Sequence, residues 1–365
     1  MSKMTVKRFS VSDCVKVFNN VPLFDIAAAA DLFRREIHKD RADLLTFVVD
    51  RNVTYTNICS CKCKFCAFFK TKSSPDSFVL SMKQILDKVE GLAGIGGTQI
   101  MLQGGLNPEL KLDFYIKLLK TIKNSYPDIT LHSFSPPEID HIARQSNKSI
   151  DYVIRTLKDS GLDSLPGGGG EILVNRIRSK ISPNKISSQR WLQIMRAAHK
   201  AGMKSTATMV FGVGETLRER FESMEKVRNL QDETGGFRAF IPWPFSPGRT
   251  KLSNFPQADG IEYLKTLAIS RLLFDNIKNI HSGWVTEGIK LAQIALAFGA
   301  NDFGGILMEE KVVRSTGLIN ETNVKQLYDI ASGAGYKLAR RNTNYDILEI
   351  IDDKKIKKYE FQNAQ

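Results

Sequence analysis

Short runs of β-branched and apolar residues that end in Gly, Pro or polar positions alternate along this chain with longer stretches of helical period. Strands are predicted at residues 47–54 (FVVDRNVT), 98–102 (TQIML), 129–134 (ITLHSF), 161–165 (GLDSL), 205–211 (STATMVF), 237–241 (FRAFI), 279–284 (NIHSGW) and 294–298, the last running into GANDFGG. Amphipathic helices are predicted between them at 80–92, 112–124, 150–159, 189–201, 217–231 and 260–276. Repeated β-then-α units without a long linker predict an α/β fold, a parallel (β/α)8 barrel of the TIM type. The barrel is expected over residues 46–320, with an N-terminal helical cap over 1–45 and a C-terminal extension over 321–365 packing on it. Chemistry in such a barrel gathers at the C-terminal ends of the strands. Four cysteines follow the first predicted strand, Gln103-Gly104-Gly105 the second, 132–137 end the third, 166–171 follow the fourth, 212–215 the fifth and 242–247 the sixth. All the unusual stretches therefore share one face.

With 365 residues, 42% of them hydrophobic, the chain can bury one large core. It shows no apolar stretch of signal-peptide length and none approaching the roughly 18 residues of a membrane span, so a soluble, cytoplasmic protein is expected. The net charge of +13 raises the question of nucleic acid, but the basic residues are interleaved with 39 acidic ones and only 352–358 form a dense basic run. Nucleic-acid and membrane partners are not expected; an anionic substrate and an acidic electron carrier, a flavodoxin or ferredoxin, are. Four of the five cysteines crowd between 59 and 66, too close to staple distant parts of a fold, which favours a metal site in a reducing compartment. The fifth, Cys14, reads as a small buried hydrophobe.

The run Cys59-Ser60-Cys61-Lys62-Cys63-Lys64-Phe65-Cys66 contains a Cys-x3-Cys-x2-Cys spacing in 59, 63 and 66. Three thiolates on one loop can each take one iron of a cubane and leave the fourth iron open, as a catalytic centre requires. The alternative is a zinc knuckle using Cys61 as fourth ligand, although Cys-x-Cys-x-Cys is tight for a tetrahedron. With the aromatic Phe65 before its last cysteine, the motif resembles that of the radical S-adenosylmethionine (SAM) superfamily. The resemblance implies a [4Fe-4S] cluster on Cys59, Cys63 and Cys66, with SAM on the open iron. Its cleavage would give methionine and a 5′-deoxyadenosyl radical that takes a hydrogen atom from the substrate. It also implies SAM contacts at Phe65, at the Gln103-Gly104-Gly105 turn, at Glu171 and Arg178, and at Gly212 and Glu215. The last two lie in a stretch similar to the family's Gly-x-Ile-x-Gly-x-x-Glu, with Thr208 in place of its first glycine. The run Pro166-Gly167-Gly168-Gly169-Gly170 lacks the Gly-Lys-Ser/Thr of a phosphate loop and reads as backbone that approaches a ligand closely.

From about residue 40 to 317, phrases such as MLQGGLNPEL, LHSFSPPEI, GLDSLPGGGGEIL, IPWPFSPG and GANDFGGILMEEKVV resemble the dehypoxanthine futalosine cyclases of the futalosine route to menaquinone. The implied reaction abstracts the C4′ hydrogen of a small, anionic, nucleoside-derived substrate. The ribose radical would add to the attached 3-carboxyphenyl ring, and loss of an electron and a proton would restore aromaticity. The sister families, aminofutalosine synthase and the tyrosine-using synthase of deazaflavin biosynthesis, would share cluster and barrel. Among the strand-end residues, His132 and Ser135 offer hydrogen bonds, Trp243 and Phe245 a ring surface, and Arg249 or Arg238 a cation for the carboxylate. His132, Asp163 and Glu287 have suitable chemistry for the proton acceptor, although a lone His on a strand is commonly a satisfied core residue. Cys61 is expected to be a bystander.

Overall fold

The first predicted strand is bent in two, as β1 Leu44–Val48 and β2 Asp50–Val53, in a computed structural model that describes residues 8–360. Residues 1–7 and 361–365, the outer ends of the expected cap and extension, lie outside the described residues. The other barrel strands are β3 Gln99–Leu102, β4 Thr130–Leu131, β5 Ser164–Leu165, β6 Lys204–Phe211, β7 Phe237–Pro244, β8 Asn279–Ile280 and β9 Asp302–Gly305. Parallel ladders join β2, β3 and β4, and again β5 through β8. Bridges His132↔Ser164 and His281↔Asp302 connect β4 to β5 and β8 to β9, and β9 returns to β1 at Thr46↔Asp302 and Val48↔Gly305. The ring is closed, a (β/α)8 barrel.

Helices occupy Met82–Gly94, Leu112–Ser125, Ile150–Asp159, Ser188–Lys200, Leu217–Thr234 and Gly260–Leu273, where the helical period placed them. Their starts are chemically marked. Ser81 with Gln84 and Thr216 with Glu219 form reciprocal capping boxes, which satisfy backbone donors that the first turn leaves free. The region 294–298 is a correction: it is helical, as Ile289–Ala295 and a 3-10 turn Leu296–Phe298, and the strand begins only at Asp302. A short buried apolar run carries no period that separates strand from helix. Helices Pro136–Gln145 and Asn175–Ile181 were not foreseen; the first opens on two prolines, whose fixed φ suits an opening turn.

Two helices precede the barrel, α1 Val11–Asn20 and α2 Leu23–His38, and pack on the helices Leu217–Thr234 and Gly260–Leu273. His38 Nε2 lies 2.9 Å from the carbonyl of Lys278, just ahead of β8, which sets this end of α2 by the N-terminal ends of the strands, away from the cysteines. After residue 320 come the helix Val324–Gly333, then β10 Lys337–Arg341, β11 Ile347–Ile351 and a helix at Asp353–Glu360. β10 runs parallel to β1, from Leu44↔Lys337 to Phe47↔Arg340, while β3 pairs with the first strand only from Asp50↔Gln99 onward. The tail thus fills the edge of β1 that β3 leaves free. Beyond β10 the chain turns under the barrel. Arg341 forks onto Asp302 at 2.5 and 2.9 Å, Thr343 donates to Gln99 at 2.8 Å, and the Tyr345 hydroxyl lies 2.7 Å from His281 Nε2. Among the described residues, no helix is long and apolar enough to cross a membrane.

Candidate active site

Past β2 the chain enters the cysteine loop, which is stitched to its surroundings by backbone bonds. Cys59 N–H donates to Lys70 O at 3.1 Å, Ser60 N–H to Leu106 O at 3.0 Å and Lys64 N–H to Ile181 O at 2.8 Å. Cys61 and Cys63 are buried, and Cys59 and Cys66 are partly exposed. The turn after β3 presses against this loop: a Cβ on Gly105 would stand 2.2 Å from Ile58 O and 2.9 Å from Cys59 Cβ. Only glycine allows that approach. Among the described residues, no three His, Cys, Asp or Glu side chains are already gathered to hold a metal ion. Soft thiols at 59, 63 and 66 on one tethered loop are nonetheless the donor set a cubane takes, one per iron.

Glu138, in the first turn of the helix Pro136–Gln145, anchors the glycine turn. Its Oε1 accepts the Gly104 N–H at 3.0 Å and the Tyr55 hydroxyl at 2.6 Å, and its Oε2 accepts the Ser135 hydroxyl at 2.6 Å. Burial pushes this carboxyl up to about 7 despite the three donors. Glu171 is held by the Lys185 ammonium at 2.8 Å and Arg178 at 3.6 Å, and its Oε2 has no hydrogen-bond partner. Lys185 also sits over the Phe65 ring, 4.8 Å from its centre. Burial opposes its charge, but Cys63 and Glu171 outweigh burial and raise its pKa. Arg178 donates to the carbonyls of Ile186, Gly169 and Gly170 and so fixes the glycine run.

A cavity of about 290 Å³ descends inside the barrel from Gln103 and residues 166–171, past Met101, Ile241, Trp243 and Phe303, to Arg238, Arg341, Thr343 and Tyr345. His132 lines it, with Nδ1 2.8 Å from Ser164 Oγ and Nε2 3.5 Å from Thr206 Oγ1. Burial, then the nearby Arg238 and Arg341, hold its pKa well below the usual range, so the ring stays neutral.

Of the expected site residues, the cavity gathers Gln103, His132, Glu171, Arg238 and Trp243. Asp163 does not belong with them: it precedes β5 at the opposite end, paired with Lys123 at 2.8 Å and accepting the Leu131 N–H at 2.7 Å. Phe245 is buried in the core and Arg249 lies beside Gly317; neither lines the cavity. Ser135 spends its hydroxyl on Glu138. Glu215 is turned onto its own loop, accepting the Gly212 and Val213 N–H groups at 2.8 and 2.9 Å and pairing with Arg220 at 2.8 Å. Glu287, half-buried and with its carboxyl pushed up to about 7 by removal from water, accepts the Thr286 hydroxyl at 2.6 Å and stands behind Gly283 rather than in the cavity. Lys185, Glu138, Arg341, Thr343 and Tyr345 went unread. Only Glu138 carried a signal, as an acid directly after the helix-opening Pro-Pro pair.

A model of the Radical SAM superfamily matches residues 53–227, and one of the CofH/MqnC C-terminal region matches 234–354. The chain is 41% identical over 355 residues to the cyclic dehypoxanthine futalosine synthase of Halalkalibacterium halodurans, covering 97% of this chain and 95% of that one. The chain belongs to the radical SAM superfamily. This radical SAM enzyme uses a [4Fe-4S] cluster and SAM, acts on a small molecule and draws electrons from an external reductant, which sets aside the zinc knuckle. It is also 38% identical over 354 residues, 94% of this chain and 98% of the other, to the 5-amino-6-(D-ribitylamino)uracil--L-tyrosine 4-hydroxyphenyl transferase of Methanococcus maripaludis strain C5. The crystal structure of methylornithine synthase (PylB) superposes with a TM-score of 0.72 at 17% identity, covering 92% of this chain and 95% of that one, which is a likeness of fold.

Proposed function

We propose that this radical SAM enzyme is a cyclic dehypoxanthine futalosine synthase, closing dehypoxanthine futalosine onto itself by way of C4′ hydrogen abstraction, in the cytoplasm. The observation that carries the reading is the cavity: one chamber, apolar in its middle and cationic at its floor, suits one substrate that is part aromatic and part anion. The match of 41% over nearly the whole length of a cyclase supports it.

Cys59, Cys63 and Cys66 would hold the cluster, and the Gln103–Gly105 turn, Phe65, Glu171 and Arg178 would meet SAM. When bound, the two together supply a 5′-deoxyadenosyl radical. The chain's own contribution is position and protonation. Glu138 fixes the Gly104 amide so that the turn faces the cysteine loop. Lys185, set between Glu171 and Phe65, keeps positive charge against the thiolates. Trp243 offers a ring surface, and His132 lines the cavity as the acceptor for the proton that rearomatisation releases, a weak base there because burial and the nearby arginines oppose its charged form. The net charge of +13 favours docking of an acidic flavodoxin or ferredoxin as the reductant.

Anaerobic incubation with SAM, dithionite and dehypoxanthine futalosine should consume the substrate with loss of two hydrogens in mass and release of 5′-deoxyadenosine. Inertness on it, with conversion of L-tyrosine and 5-amino-6-(D-ribitylamino)uracil instead, would establish the transferase reading, which the 38% match favours.

A further inference from the structure

Buried arginines in this barrel are matched to acids or saturated by oxygens. Arg178 meets Glu171, Arg220 meets Glu215 and Glu262, and Arg341 meets Asp302. Arg271 has no acid, but its Nε, Nη1 and Nη2 each donate to an oxygen at 2.7 to 2.8 Å. Arg238 is different. It lines the cavity at the foot of β7, only its Nη1 is engaged, and that bonds to Thr343 O at 2.7 Å and Asn344 Oδ1 at 2.5 Å. Its Nε is buried without any partner. The acids nearby are already committed: Asp163, whose charge reaches Arg238, to Lys123 at 2.8 Å, Asp302 to Arg341, and Asp50 to the Leu307 N–H at 2.9 Å and the Gln99 amide at 3.2 Å. A buried guanidinium without a counter-charge is costly, and a bound anion removes that cost.

We propose that the floor of the cavity is a carboxylate-binding site, in which Arg238, aimed by the tail residues Thr343 and Asn344, takes the carboxylate of an aromatic substrate. Ile241 and Trp243 follow Arg238 up β7 and line the same wall. Five residues of strand span about 16 Å, so a molecule anchored at Arg238 lays its ring along the apolar wall and sends its sugar toward Gln103 and the glycine run. The orientation rests on the cyclase reading; the anion site does not. A benzoate carboxylate and the α-carboxylate of tyrosine share the required chemistry, and the geometry favours the former, because the wall above Arg238 is apolar and offers the tyrosine ammonium no acid already free of a partner.

Calorimetric titration of the reconstituted holoenzyme with 3-methylbenzoate, 3-methylbenzamide and L-tyrosine tests this directly. The acid should bind about 10- to 100-fold more tightly than its amide, the span of a charge-assisted bond. Arg238→Gln should erase that preference, and Arg238→Lys, which keeps the charge but not the fork, should retain part of it. In turnover, Arg238→Gln should raise KM for dehypoxanthine futalosine far more than it lowers kcat. Equal binding of acid and amide by the parent chain, or binding of neither, overturns the site, whatever the variants do to folding. Tyrosine binding above 3-methylbenzoate keeps the site and overturns the cyclase orientation. Preference for the acid in an enzyme inert toward dehypoxanthine futalosine supports the site and overturns the function proposed above.

Discussion

Cys61 lies within the motif loop, buried beside Cys63, and the pull between the two thiols lowers the pKa of Cys63 while raising that of Cys61. A cubane with one open iron takes three thiolates, and the spacing of 59, 63 and 66 leaves Cys61 without an iron. Cys61→Ser keeps a donor there, so iron, sulfide and SAM cleavage should stay near the parent level, whereas Cys59→Ser, Cys63→Ser and Cys66→Ser should each abolish cleavage; equal losses in all four would refute the three-ligand assignment. Glu138 makes a second residue-scale prediction. A carboxyl raised from 4.5 to about 7 in the folded chain contributes stability that is full below 4.5 and fades as pH rises through 7. Glu138→Gln removes that titration and should flatten the fall in unfolding free energy between those pH values by up to about 3 kcal/mol. Glu138→Ala strands the Gly104 amide and two hydroxyls, and should destabilise by about 2 to 4 kcal/mol while raising KM for SAM. Denaturant titrations and a SAM titration check both variants.

At the scale of elements, the cysteine loop and the turn after β3 behave as one unit, because Gly105 lets Ile58 O approach it. Gly105→Ala should push the two apart, destabilise by about 1 to 3 kcal/mol and lower iron and sulfide per chain, measured after reconstitution. Full iron loading would show that the loop moves independently. The strands that sequence made visible are those whose apolar runs end in Gly, Pro or a charged residue. The cysteine spacing was visible because metal ligands must be close in sequence to share a loop. The helical nature of 289–298 was hidden by an apolar run without period, and β10 by a sequence, KLARR, whose two arginines find acids only in three dimensions. Asp163 and Arg249 were misplaced for another reason. A residue type suggests a chemistry, but Asp163 stands ahead of β5 at its N-terminal end and Arg249 lies past β7 beside Gly317, and neither offers its side chain to the cavity.

Across the whole molecule, the surplus of basic charge should act in the rate of encounter with the reductant. Reduction by an acidic flavodoxin should slow steeply as ionic strength rises from about 0.01 to 1 M, as screening shortens from about 30 Å to about 3 Å. Stopped-flow traces indifferent to salt would locate the docking face away from the net charge.

The pairing of β1 with β10 joins the first strand of the barrel to residues 337–340, which are made after every barrel strand. On the ribosome, the first strand therefore waits for β10 with that edge bare, and the floor of the barrel cannot be laid until residues 337–345 have left the exit tunnel. Contacts this distant in sequence form late. A nascent chain stalled before residue 337 is in consequence a ring without a base.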